Sequence, residues 1–159
     1  MIARAALLLS VSLALGAGSA DELAETTVGA LKLKAPGAWQ RRDAEGTVRF
    51  AAPSGEAYFD LDVGQVQRKG GMPAAECLKK ILAGVGKAGF TRTKVGGQPA
   101  ASREKVDADE SGKKFVERTY VGCNGTTTWS MQFHMVEEKR DHYAALANQV
   151  FKSIAYEKK

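Results

Sequence analysis

The polar and apolar positions of this chain alternate in two rhythms, and the switches between them divide it into elements. Residues 25–34 alternate loosely around Val28, Leu31 and Leu33 and predict a first strand, which Ala35-Pro36-Gly37-Ala38 ends. A polar stretch follows Trp39. Residues 47–51 predict a second strand, stopped by Pro53-Ser54-Gly55. Residues 56–67 carry the clearest period of two: Tyr58, Asp60, Asp62 and Gly64 fall on one side, Phe59, Leu61 and Val63 on the other. The short Ser-Gly turn predicts a hairpin between these two strands. The rhythm then changes to three and four. Ala74, Cys77, Leu78, Ile81, Leu82 and Val85 form one apolar stripe, predicting a helix over 73–89 that begins at Pro73 and is capped by Gly89.

Period two returns over 90–95, over 98–106 after the Gly96-Gly97 turn, and over 113–123. Asn124-Gly125 signals a tight type I′ hairpin into 126–136, where Trp129, Met131, Phe133 and Met135 share a face. Residues 137–152 predict a second helix with a stripe of Tyr143, Leu146, Ala147, Val150 and Phe151, and Ile154 and Tyr156 suggest a last short strand. The sum is an α+β domain: an antiparallel sheet of five to seven strands, the only surface large enough to hide the stripes of two amphipathic helices.

Composition adds a compartment. Arg4 precedes a short apolar run from Ala5 to Leu15, then the small residues Gly16-Ala17-Gly18-Ser19-Ala20. This is the tripartite pattern of a secretion signal over 1–20, cut after Ala20, which leaves one domain over 21–159 in the periplasm or outside the cell. The run is shorter than the roughly 20 residues of a permanent span, and no Cys near the cut could accept a lipid. Export makes the environment oxidising, so the two cysteines, Cys77 and Cys123, predict one disulfide. Loop closure over that span is worth about 4 kcal/mol. The rival arrangement is two separate thiols. Removing Arg4 takes Lys+Arg from 23 to 22 against 18 Asp+Glu, a mild net charge near +4. The basic residues are scattered, without the stripe and interleaved aromatics of a nucleic-acid reader.

The order of these pieces resembles the PsbP/Mog1-like superfamily, in particular its exported bacterial members. The resemblance rests on Pro36-Gly37-Ala38-Trp39 after the first strand, the Pro53-Ser54-Gly55 turn, and the helix over 73–89. It continues with the turn at 96–100 and the close at Phe151-Lys152-Ser153-Ile154. It implies an α-β-α sandwich and a non-enzymatic accessory or binding role, without a cofactor.

Candidate chemistry is sparse. His134, Glu138 and His142 recur at four, which on one continuous helix would offer three ligands to Zn²⁺ or Cu²⁺. His134, however, lies in a strand pattern, which leaves an outward histidine and a solvated helix start. Asp60 and Asp62 alternate on one strand face about 7 Å apart; they could hold a cation or flank a glycosidic bond, or be ordinary solvated side chains. No G-x-S-x-G elbow or phosphate loop is present. Trp39 with Arg41 and Arg42 could dock an anionic or aromatic partner; alternatively Trp39 packs beneath the first helix as core. The leading expectation is a non-catalytic exported binding protein whose partner is an envelope protein, a peptide or a lipid. The alternatives are a metal- or small-ligand-binding module and a secreted hydrolase.

Overall fold

The computed structural model describes residues 20–157, so the secretion signal expected over 1–20 lies, but for its last residue, outside them. Ten strands and two helices follow in the order β1 Leu23–Val28, β2 Leu31–Pro36, β3 Gln40–Ala44, β4 Thr47–Ala51, β5 Ala57–Gln65, α1 Ala74–Val85, β6 Thr91–Val95, β7 Gln98–Ala108, β8 Lys114–Cys123, β9 Thr127–Val136, α2 Arg140–Lys152 and β10 Ala155–Tyr156. Seven strands form one antiparallel sheet in the order β3-β4-β5-β9-β8-β7-β6, and β1-β2-β10 form a smaller one.

The expected first strand is two strands. Gly29 and Ala30 turn the chain between Val28 and Leu31. Gly29 supplies the positive φ (55°) that a two-residue hairpin turn needs at its first position. The hairpin leaves the main sheet, and its tip crosses Val63 of β5, 3.1 Å from where a Gly29 Cβ would stand. The polar stretch after Trp39 is also a strand. β3 buries none of its side chains and is held by backbone pairing to β4 at the sheet edge, so it leaves no apolar rhythm in the sequence. The second helix opens with a 3-10 turn at Glu137–Lys139. Helix α1 is capped by Gly86 (φ 80°), not Gly89.

Strand parity divides the core between two faces. On one, Phe59, Leu61, Trp129, Met131, Phe133 and Met135 lie beneath α2 and the β1-β2 hairpin. Trp39 packs there against Phe59, Phe133 and Tyr143, with ring centroids 5.7–6.1 Å apart. It lies under α2 rather than under the first helix. On the other face, Leu78 and Leu82 of α1 cover only Ala101 of β7 and Val121 of β8. A bond between Cys77 and Cys123, with Cα atoms 6.1 Å apart, ties α1 to the end of β8.

The β8–β9 turn differs from the type I′ expected. Asn124 keeps a negative φ and only Gly125 is positive. The Asn124 Oδ1 accepts from the backbone N–H groups of Thr126 (3.0 Å) and Thr127 (2.8 Å) instead. Opposite Trp129, Gly122 leaves room for the indole to lie flat on the strand. Its Nε1–H then donates to the Tyr156 hydroxyl at 2.8 Å, which anchors β10.

Two outcomes test this packing. A Gly122→Ala Cβ would stand 2.4 Å from Trp129 Cζ2. The substitution should cost roughly 2–3 kcal/mol, read as a lower urea midpoint; an unchanged midpoint would contradict the indole placement. Reducing the Cys77–Cys123 bond should cost about 4 kcal/mol, seen by comparing denaturation with and without dithiothreitol.

Candidate functional site

Because α1 covers only β7 and β8, the same face of β4, β5, β9 and the lower half of β8 stands uncovered. Register fixes what it presents. Arg49 pairs with Asp60, Tyr58 with His134, and His134 with Glu117. The Arg49 guanidinium forks onto Asp60 with both bonds at 2.7 Å and lies 4.3 Å over the Tyr58 ring. Tyr58 stacks on His134 at 4.6 Å between centroids. Phe115 follows at 6.4 Å, and the His134 Nε2 is 3.9 Å from the Glu117 carboxylate. A row of cation and rings thus runs across four strands, and each member is fixed by its neighbours.

Beside this row a depression of about 380 Å³ opens between β5, β8 and β9 near the Gly55 turn, walled by Tyr58, His134 and Phe115 and edged by Glu56, Asp107 and Glu117. A second cleft of about 340 Å³ runs between the open flank of α1, at Ile81 and Val85, and the strands at Gly64 and Thr128.

The electrostatics of the row follow from its half-burial. Burial lowers the His134 pKa below its ordinary 6.5; the carboxylates of Glu117 and Asp60 pull it back up, and Arg49 opposes them. Burial also raises the Tyr58 hydroxyl. At neutral pH both rings are therefore uncharged.

A separate polar cluster ties α2 to β7 and β8 on the opposite face. Glu104 lies between the Arg118 and Arg140 guanidiniums. Burial pushes its carboxyl up, but the two arginines outweigh burial and hold it below the usual range. The Tyr120 hydroxyl donates to Asn148 at 3.0 Å beside them.

The residues singled out in the sequence are dispersed. Trp39 is core, 5% exposed, and its Nε1–H donates to Asp21 at 3.2 Å, so it is not a docking surface. Arg41 stands on the buried-face side. It forks onto Asp43 at 2.7 and 2.9 Å and reaches Thr26 and the Thr27 carbonyl, clamping the β1-β2 hairpin to β3. Only Arg42 reaches the uncovered face, paired with Arg49 in register. His134 is on β9, Glu138 in the 3-10 turn, and His142 on α2, where its Nε2 is 2.8 Å from Asp21. The two histidines lie on opposite sides of the sheet, because the segment from 134 to 142 is not one helix. Among the described residues no three His, Cys, Asp or Glu side chains gather to hold a metal ion. Asp60 is occupied by Arg49, and Asp62 accepts from Thr47 and from Ser130. The cluster of Arg49, Tyr58, Phe115, Glu117 and His134 was not foreseen. Its sequence signals were the polar side of β5 and the outward His134 of a strand pattern; assembling it required the register of four strands.

No family matches the sequence, and no curated protein does. Solved structures do match. A protein from Bacteroides thetaiotaomicron superposes with a TM-score of 0.67 at 15% identity over 82% of this chain, which spans 46% of that longer chain. LpqN of Mycobacterium tuberculosis, described as involved in cell envelope biogenesis, gives 0.59 at 13% identity over 86% of this chain and 92% of its own. The Ran-binding protein Mog1p of Saccharomyces cerevisiae gives 0.52 at 9% identity over 84% and 95%. The chain has the PsbP/Mog1-like fold. At these identities the likeness is one of fold alone, and the fold is the one the order of elements implied. Among the described residues no helix is long and apolar enough to cross a membrane.

The state of His134 is measurable. Its imidazole should titrate below 6.5 in the folded chain, followed by its ring carbon protons in NMR. Because the unfolded state binds the proton more readily, stability should fall as pH drops from 6.5 toward the folded value. His134→Gln should remove that part of the slope. A His134 titrating at or above 6.5 would contradict the burial described.

Proposed function

We propose that this chain is an exported, non-catalytic accessory protein of the cell envelope that binds a partner across the uncovered face of its seven-stranded sheet. The observation that carries the reading is the half-covered face. α2 and a whole hairpin seal one side of the sheet, whereas the other presents a pre-ordered row of Arg49, Tyr58 and His134 with Glu117 and Phe115 beside it. Tyrosine and arginine held rigid on a flat surface lose little freedom on association, which suits them to an interface. The mixture of charge and ring favours an envelope polypeptide over a lipid surface, which would call for a broader apolar patch.

Export is supported by the leader pattern over 1–20 and by the cysteine pair, which suits an oxidising compartment. The envelope setting is also that named for LpqN, and partner binding is that named for Mog1p. The non-catalytic reading draws on the side chains themselves. The carboxylate pair the sequence offers, Asp60 and Asp62, is engaged by Arg49, Thr47 and Ser130, and both thiols are bonded to each other.

A photo-crosslinking residue at Gln132, exposed at the centre of the face, should trap a discrete adduct in intact cells. The same residue at Glu110, in the β7–β8 turn, should not, and Arg49→Ala with Tyr58→Ala should abolish the Gln132 adduct. Equal adducts at both positions, or none at Gln132, would remove the reading. Intact mass of the protein recovered from the envelope should correspond to a chain beginning at Asp21; a chain beginning at Met1 would remove export by signal cleavage.

A further inference from the structure

The uncovered face contains the same construction twice, once with a cation of its own and once without. On β5, Tyr58 and Asp60 stand two apart, a ring and a carboxylate on one face, and Arg49 of β4 fills the place between them. On β8, Phe115 and Glu117 repeat that spacing on the same face. Glu117 has three quarters of its side chain out of water (27% exposed) and accepts from the Thr119 hydroxyl at 3.1 Å, yet among the described residues no Lys or Arg lies within 4 Å of it. Its nearest basic group is the His134 ring at 3.9 Å. Asp107, opposite Phe115, is exposed and accepts from the Ala108 N–H at 2.9 Å, and among the described residues it too has no Lys or Arg within that distance. Glu56, whose carboxylate accepts from the Tyr143 hydroxyl at 3.1 Å, completes the acidic rim, and no lysine or arginine lines the depression. Carboxylates withdrawn from water are ordinarily paired, and ring faces attract cations.

We propose that this depression is the seat for a basic side chain, a lysine or arginine presented by the partner polypeptide, held by the Glu117 and Asp107 carboxylates against the Phe115 and His134 rings. The inference rests on the face being the partner surface and names the chemistry that the partner brings to it. Arg49 over Tyr58 is the internal precedent for the geometry. Lys105 lies opposite Glu117 in register but is exposed on β7 and does not line the depression. Its charge opposes an incoming cation at short range, and so removing it should favour binding.

The test uses the full mature chain, ¹⁵N-labelled, titrated with N-acetyl-arginine amide and N-acetyl-lysine amide, with N-acetyl-norleucine amide as the uncharged control. Saturable shifts confined to the amides of Phe115, Glu117 and His134 are expected with the two cations, in the millimolar range for one side chain, and none with norleucine. Glu117→Gln should weaken binding about fivefold, the upper end for a partly exposed ion pair. Lys105→Gln should tighten it, and spectra of both variants should otherwise overlay the parent, which separates loss of the seat from loss of fold. Absence of saturable shifts, equal response to norleucine, or unchanged affinity in Glu117→Gln would overturn the proposal. Failure of the probes with the Gln132 adduct intact overturns the seat and spares the surface. Loss of that adduct with the probes still bound overturns the surface and the polypeptide source with it.

Discussion

The packing of Trp39 onto Phe59 and Phe133, with Tyr143 closing from above, is the contact on which the other arrangements depend. It brings together the end of the first hairpin, two central strands and the second helix. The Tyr143 hydroxyl extends the same contact to the β4–β5 turn, within 3.3 Å of the Ser54 hydroxyl and 3.1 Å from the Glu56 carboxylate. With α2 and the β1-β2 hairpin committed to this face, the main sheet has a single helix left for its other side. Twelve residues of α1 make a rod of about 18 Å, too narrow to shield seven strands. The exposed surface is thus a consequence of how the buried one is built.

The placement of α1 is fixed at both ends of the problem. Its stripe needs an apolar floor, and Ala101 and Val121 provide one only on β7 and β8. Cys77 on that stripe then meets Cys123 at the end of β8. On its open flank, Ile81 and Val85 leave a cleft against the strands at Gly64 and Thr128. Elsewhere on this face, Arg49 with Asp60 and Asp62 with Thr47 and Ser130 satisfy each other laterally. A sheet face can remain in contact with water on those terms.

Much of the fold was legible because the information lay in local rhythm. The stripes of both helices, the period of β5 and the pair β8–β9 follow from side-chain alternation that burial enforces. What escaped has physical causes. Gly29-Ala30 turns the chain without a proline or a polar cluster, so two strands read as one. β3 buries none of its side chains and leaves no apolar pattern. Asn124 uses its side chain to close a turn that its dipeptide suggested would be made by φ. The candidate surface was hidden for a further reason: Tyr58 and His134 are 76 positions apart, and only strand register makes them neighbours. The Trp39-Arg41-Arg42 run failed in the opposite way, since adjacency along a strand sends alternate residues to opposite faces.

Both indoles of the chain, Trp39 and Trp129, lie within the sealed layer, one over Phe59 and Phe133 and the other donating to Tyr156. Intrinsic fluorescence of this protein is therefore a report on one side of it. An emission spectrum will register loosening of α2 or release of the carboxy-terminal strand, and will be nearly silent to events on the solvent-facing side, where the only chromophores are tyrosine and phenylalanine.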